Sequence, residues 1–280
     1  MEFYRGKKVF VTGGSSGIGR AAAVMLAKWG ASVAIAARGQ KRLDETLAAL
    51  NAVGGSGQVF HAVSVDIADR DAVKAAAIEV VNTLGGIDVV VNNAGIAHPC
   101  TVLETPDQVF EDMMQVNYFG TVNVTRAFLP YLYEQKSGNV CMVASMLGFM
   151  GIYGYTAYAA SKYAVTGFSD CLRQELIDHN IGITVVFPPD TDTPQLAEEN
   201  RIKPPETKAI SGEVKTLSAD EVALCALEAV ANGKYHVVPG AMGKFTYWMQ
   251  RHFPGVVRFV IDHDLKKYRK SNPLSAGRRA

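Results

Sequence analysis

The sequence predicts a single α/β domain built on a doubly wound parallel sheet of about seven strands, with helices on both faces. Three observations carry that expectation. Short apolar, β-branched runs alternate with longer segments of helical periodicity as far as Val238. The apolar runs are continuous rather than alternating, as expected of strands buried on both faces. The chain has 280 residues, 48% hydrophobic and 20% charged, which suits one large domain with a substantial core.

The strands expected in order are KKVFVT around Val9, ASVAIAA around Val33, QVFHAVSV around Phe60 and IDVVVNN around Val89. They are followed by GNVCMVAS around Met142, IGITVVFP around Val185 and YHVVPG around Val237. Helical periodicity fills the intervals at Arg20–Trp29, Lys41–Leu50, Arg70–Leu84, Val109–Gln135, Tyr158–Asp178 and Ala219–Asn232. These elements place the main domain at 1–240. The irregular stretch Pro188 to Leu217 is too long for a plain connection and reads as a substrate lid. Residues 241–280 read as an amphipathic helical extension ending in a frayed tail.

Composition narrows the classes of function. A net charge of +1 gives no global basic field for nucleic acid. Cys100, Cys141, Cys171 and Cys225 are scattered without a CxxC pair, as in a reduced compartment, and the pattern calls for no metal. The N-terminus enters a strand at once, so no signal peptide is expected. No run of 18 uncharged apolar residues is present, so no spanning helix is expected either. The expected location is the cytoplasm, with or without contact at a membrane surface.

The first strand runs into TGGSSGIGR, Thr12 to Arg20. Gly13 allows a tight turn. Gly17 and Gly19 allow a diphosphate to approach the helix N-terminus and the helix to pack closely on the sheet. The whole turn, with Ser15, Ser16 and Ile18, is a candidate dinucleotide site, although its spacing is GxxxGxG rather than GxGxxG. A site selective for NAD places a carboxylate against the ribose 2′-hydroxyl after the second strand. This chain has Ala36, Ala37 and then Arg38, with Lys41 and Arg42 just beyond. A guanidinium fork suits a 2′-phosphate, so NADPH is the expected cofactor. Asp66, followed by Ile67, leaves the third strand where a carboxylate accepts from an adenine amino group. Asn93, Ala94 and Gly95 leave the fourth. Ligands of open α/β sheets bind beyond such carboxyl ends.

Ser145 ends the fifth strand, and Tyr158 and Lys162 follow in YAASK. A Tyr and a Lys at i and i+4 share one helix face. The ammonium is expected to lower the phenol from its ordinary value of about 10 and make it a usable general acid or base. Ser145 is placed to hold a substrate carbonyl against the phenol. Asn117, in MQVNYFG, is a candidate to hold a water that relays protons to Lys162.

From about Lys7 to Val238 the chain resembles the short-chain dehydrogenase/reductase family. The likeness rests on TGGSSGIG, NNAG, Asn117, Ser145 and YAASK. The resemblance implies a Rossmann-type fold and hydride transfer between a nicotinamide and a ketone or alcohol. It makes Tyr158 the proton donor and Lys162 the group that binds the nicotinamide ribose. Ser145 would orient the carbonyl and Asn117 would complete the tetrad. It also implies a homodimer or homotetramer built on the helices carrying Asn117 and Tyr158.

The family usually carries Pro-Gly-x-x-x-Thr after the sixth strand, beside the nicotinamide. Here the frame reads Pro188, Pro189, Asp190, Thr191, Asp192, Thr193. Pro189 removes an N–H and stiffens the strand exit. Pro188, Thr191 and Thr193 remain cofactor candidates, and a lid helix is expected after Asp192 with Pro194 in its first turn. This departure, with LAEENRIKPPET after it, resembles a branch of the family that uses NADPH to reduce long-chain 3-keto amines in sphingolipid synthesis. The expected substrate is therefore a lipid-like ketone, with Asp190 or Asp192 as a partner for its ammonium and SMLGFMGIYGYTAY as an adaptable wall for its alkyl chain.

In the tail, Phe245, Trp248, Met249 and Phe253 form one apolar stripe. Val257, Val260, Ile261, Leu265 and Tyr268 form another, and basic residues accompany both. The stripes suit either core packing or peripheral membrane contact through 241–270. Two other functions stay open: reduction of a 3-oxoacyl thioester or of another lipid or steroid ketone, and NADP(H) binding by a regulator without catalysis.

Overall fold

The computed structural model describes residues 1–211 and 216–272. Residues 212–215 of the expected lid, and most of the expected frayed tail, lie outside them. A seven-stranded, wholly parallel sheet forms the centre, in the order β3-β2-β1-β4-β5-β6-β9. Its strands are β1 (Lys8–Thr12), β2 (Ser32–Ala37), β3 (Phe60–Ser64), β4 (Val89–Asn92), β5 (Gly138–Val143), β6 (Ile181–Val186) and the short β9 (His236–Val237).

The expected strand segments all enter this sheet. Alternate residues of one strand serve opposite layers, as the pleat requires. Phe10 of β1 packs with α3 (Arg70–Leu84), α5 (Gly120–Gln135) and α6 (Thr156–Glu175). Its neighbours Val9 and Val11 pack with α1 (Gly17–Lys28), α2 (Gln40–Val53) and α9 (Ala219–Ala231). Tyr4 is fully buried beside that second layer, where its hydroxyl donates to the Leu227 carbonyl at 2.7 Å.

The chain winds outward from β1 in both directions, so β1 has β2 on one side and β4 on the other. This reversal opens a crevice at the carboxyl ends of β1 and β4. The glycine turn and the Asn93–Gly95 exit meet there.

One local feature differs from the expectation of one helix over Val109–Gln135. A helix α4 (Asp107–Met113) passes through a wide π-turn, Met114–Phe119, into α5. The π-turn carries Asn117, and such widenings favour functional positions. The stretch after β6 is also more ordered than a loop. Thr191–Asp192 (β7) pairs in parallel with Leu217–Ser218 (β8), which ties the two ends of the lid segment together at its base. The helices α7 (Pro194–Ile202) and α8 (Pro205–Ser211) lie between them. Beyond β9, α10 (Ala241–His252) and α11 (Pro254–Ser271) return over the substrate side.

Candidate active site

The glycine turn is fixed by side chains from β1 and β4. The Thr12 hydroxyl accepts from the Asn93 and Ala94 N–H groups, both at 3.0 Å. The Asn93 amide donates to the Thr12 carbonyl at 3.0 Å. Asn93 thus braces the turn from behind. Gly13 has φ +66°, and a β-carbon there would lie 2.7 Å from the Asn93 amide nitrogen. A β-carbon on Gly19 would collide with the same amide and with the Gly13 carbonyl. At the start of α1, Ser16 has an extended backbone and supplies no side-chain cap. The open N–H groups there fit an anionic diphosphate, and the missing β-carbons let the turn close against Asn93.

One cavity of about 410 Å³ spans this turn and the expected chemical site. Its lining includes Gly13, Ser16, Gly17, Ile18, Asn93, Ala94 and Gly95 on one side, then Ser145, Tyr158 and Lys162, then Pro188, Thr191 and Thr193. Ser15 and Gly19 belong to the same turn but do not line it. Arg38 and Arg42 lie outside the lining too, exposed beyond the end of β2, and Asp66 is exposed beyond β3. The Asp66 carboxylate accepts from the Ala68 N–H at 3.0 Å. Ile67 is buried and packs where a β-carbon on Gly120 would stand.

Tyr158 and Lys162 project from the buried face of α6 to the end of β5. The Lys162 ammonium donates to the Val143 carbonyl at 3.0 Å and lies 5.7 Å from the centre of the Tyr158 ring. Burial pulls the lysine down to about 8. The expectation of a lowered phenol is not met in the protein alone. Burial, together with the charge of Glu199, pushes Tyr158 above the ordinary tyrosine range, while a hydrogen bond with Ser145 acts against them. Desolvation outweighs the lysine because the ring is almost wholly buried and the ammonium bonds the Val143 carbonyl instead. Burial thus favours the protonated phenol at Tyr158.

Asn117 braces the exit of β4. Its amide accepts from the Ile96 N–H at 2.8 Å and donates to the Ile96 carbonyl and the Ser161 hydroxyl, each at 2.9 Å. The side chain pins the exit of β4 to α6. Thr193 is engaged as well: its hydroxyl caps α7 by accepting from the Leu196 N–H at 3.2 Å and donates to the Thr191 carbonyl at 3.1 Å. The cap of α7 is thus Thr193, and Asp192 is exposed and outside the cavity lining.

The far wall combines expected residues with Glu199, Ile210 and Met242, which the sequence alone did not single out. Glu199 is buried and lines the cavity; its carboxylate accepts from the Tyr155 hydroxyl at 2.7 Å and from the Gln195 amide at 3.0 Å. Asp190 pairs with the deeply buried Lys203 ammonium at 3.4 Å. Met146, Leu147, Met150, Ile152, Ile210 and Met242 supply apolar lining. From the expected alkyl wall, Phe149 packs instead on Phe187 and Tyr247, and Tyr153 lies under Arg269.

The tail divides. Val257 and Ile261 pack on the cluster containing Met150, Tyr155 and Tyr158, whereas Phe245, Trp248, Phe253 and Phe259 are exposed. Among the described residues no helix is long and apolar enough to cross a membrane.

A doubly wound sheet, an open helix N-terminus in its crevice and a Ser–Tyr–Lys group in the same cavity define a nucleotide-dependent oxidoreductase of the Rossmann class. The family model for short chain dehydrogenases matches residues 7–203, and the chain belongs to that family. It is 38% identical over 232 residues to a 3-dehydrosphinganine reductase of Danio rerio, covering 82% of this chain and 70% of the relative. It is 36% identical over 249 residues to a 3-ketodihydrosphingosine reductase of Dictyostelium discoideum, covering 83% and 74%. The fold matches a short-chain dehydrogenase/reductase from Burkholderia phymatum in complex with NAD, with a TM-score of 0.79 at 23% identity over 91% of this chain and 96% of that one.

Proposed function

We propose that the protein is an NADPH-dependent reductase of a 3-keto long-chain base, converting 3-ketosphinganine to sphinganine in sphingolipid synthesis. The observation that carries this reading is the single cavity that joins the glycine turn to Ser145, the buried Tyr158 and Lys162. The names of both relatives support the substrate class.

NADPH, when bound, supplies the hydride that reaches the keto carbon. The glycine turn and the α1 N-terminus would hold its diphosphate, and Arg38 and Arg42 would meet the 2′-phosphate at the rim. Asp66 and Ile67 would flank the adenine, and Pro188, Thr191 and Thr193 the nicotinamide. Lys162 lies beneath the phenol, placed to donate to the ribose hydroxyls. Ser145 donates to the carbonyl oxygen and holds it against Tyr158. The Tyr158 proton passes to that oxygen as negative charge develops on it, giving the secondary alcohol. Asn117 keeps the β4 exit and α6 in register and acts through position.

The exposed Phe245, Trp248, Phe253 and Phe259 face, with Lys244, Arg251 and Arg258 around it, favours peripheral contact with a bilayer that holds the substrate. Met242 is exposed and also lines the cavity, so α10 joins this face to the cavity mouth. Exposed Phe119 and Tyr163, beside Asn117 and on α6, favour assembly of a homodimer or homotetramer through those helices.

The test is NADPH oxidation with 3-ketosphinganine against an acetoacetyl thioester. The expected result is a kcat/KM preference for the long-chain base; preference for the thioester would replace the substrate named here.

A further inference from the structure

Glu199 is unusual among the groups facing the cavity. Its neighbour Asp190 has a counter-charge in Lys203. Glu199 has two neutral donors, Tyr155 and Gln195, and among the described residues no cation stands within 4.0 Å of its carboxylate. It is 91% buried, being 9% exposed. A carboxylate removed from water without a cation is costly, and hydrogen bonds from neutral groups offset only part of that cost. Glu199 lines the cavity, from which a counter-charge can reach it.

The position relative to the chemistry is specific. Tyr155 holds one carboxylate oxygen, and its ring lies 5.8 Å from the Tyr158 ring. The Glu199 charge is felt at both Tyr158 and Lys162. Whatever cation completes Glu199 therefore sits close to the carbonyl held by Ser145 and Tyr158. A 3-keto long-chain base carries its amine on the carbon next to the ketone, and that amine is an ammonium at neutral pH.

Resting on the function proposed above, we infer that Glu199, held by Tyr155 and Gln195, is the ammonium anchor that selects a 2-amino-3-ketone and sets its carbonyl against Tyr158. The ammonium supplies the counter-charge that the protein leaves out. Asp190, neutralised by Lys203, takes no part in this selection. A ketone without the amine leaves the buried carboxylate unmatched and is disfavoured for that reason.

The experiment compares NADPH-dependent reduction of 3-ketosphinganine and of the same chain lacking the amine, 1-hydroxyoctadecan-3-one. The readout is the ratio of their kcat/KM values, which a general loss of folded enzyme does not change. Wild type is expected to favour the amino-ketone. Glu199→Gln is expected to cut the ratio about 10- to 100-fold, the range for losing one hydrogen bond to a charged group. Glu199→Asp should recover part of the ratio. An unchanged ratio in Glu199→Gln, whatever its absolute rates, overturns the anchor while leaving the reductase reading intact. A wild type that reduces neither ketone overturns both.

Discussion

The two ends of the cavity are built by different means. The nucleotide end uses backbone: missing β-carbons at Gly13 and Gly19, an uncapped α1, and the Thr12–Asn93 brace that holds the turn. The substrate end uses side chains from distant segments. Tyr155 comes from the start of α6, Asp190 from the exit of β6, Glu199 and Lys203 from α7 and its end, and Met242 from α10. The first end accepts a ligand by leaving space and N–H groups. The second does so with charged side chains in its wall: the buried Lys203 pairs with Asp190, and the buried Glu199 has neutral donors. Affinity for the cofactor should therefore respond to backbone and rim changes, and selection among ketones to the α7 wall.

Four predictions sharpen or break that division, the largest expected effect first. Tyr158→Phe removes the proton donor and should lower kcat by about 10²- to 10⁴-fold. NADPH affinity, measured by fluorescence titration, should hold, because the ring and Lys162 remain. A variant that keeps its turnover would break the assignment of the acid. Arg38→Asp should weaken NADPH relative to NADH by roughly 10- to 100-fold, the loss of a charge-assisted bond. An equal loss for both cofactors would show that Arg38 does not reach the phosphate.

The third concerns pH. Lys162 is pulled down to about 8 by burial, so its ammonium is present below that value and lost above it. NADPH binding to the free enzyme should accordingly weaken as pH rises through about 8. Tyr158 is pushed the other way and stays protonated across the same interval. Once the ternary complex is saturated, kcat for reduction should not show that alkaline limb from the phenol. Tyr158→Phe should retain the pH dependence of NADPH binding. If the limb disappears in that variant, Tyr158 rather than Lys162 is its source.

The smallest effect is expected at the strand exit. Pro189→Gly restores freedom to the unfolded chain and should cost about 0.4–1 kcal/mol of stability, read from thermal melts. Its kinetic effect should fall on KM for the ketone more than on NADPH affinity. The reverse pattern would place Pro189 with the nucleotide end.

The same division explains what the sequence made legible. The nucleotide end is encoded locally: a strand, a glycine spacing and a helix follow one another within Lys8–Lys28, so the site can be read along the chain. Tyr158 and Lys162 are similarly readable because one helix turn separates them. Glu199 was hidden because PQLAEENRI reads as an exposed polar helix, and its burial depends on Tyr155, 44 residues away in sequence. Its i, i+4 relation to Gln195 marks a shared face without saying that the face is inside. The π-turn around Asn117 was hidden for another reason, since hydrophobic periodicity does not separate a local widening from an unbroken helix. The phenol was misjudged in direction because proximity to a lysine is visible in sequence, whereas desolvation appears only when the ring is seen buried.

Lys162 illustrates how both kinds of construction meet. Its position comes from α6, its hydrogen bond from the end of β5, and its depressed ammonium from burial between them. Gly95 borders the same space: a β-carbon there would lie 3.1 Å from the Asn117 oxygen and 3.4 Å from the Lys162 nitrogen.

Single-turnover reduction of 3-ketosphinganine with NADPH deuterated at the transferable position of nicotinamide C4 tests the central assignment most directly. The account predicts sphinganine carrying one deuterium on carbon 3, formed rapidly by the wild type and at least about 10²-fold more slowly by cofactor-loaded Tyr158→Phe. Deuterium absent from that carbon, or equal rates from the two proteins, would contradict it.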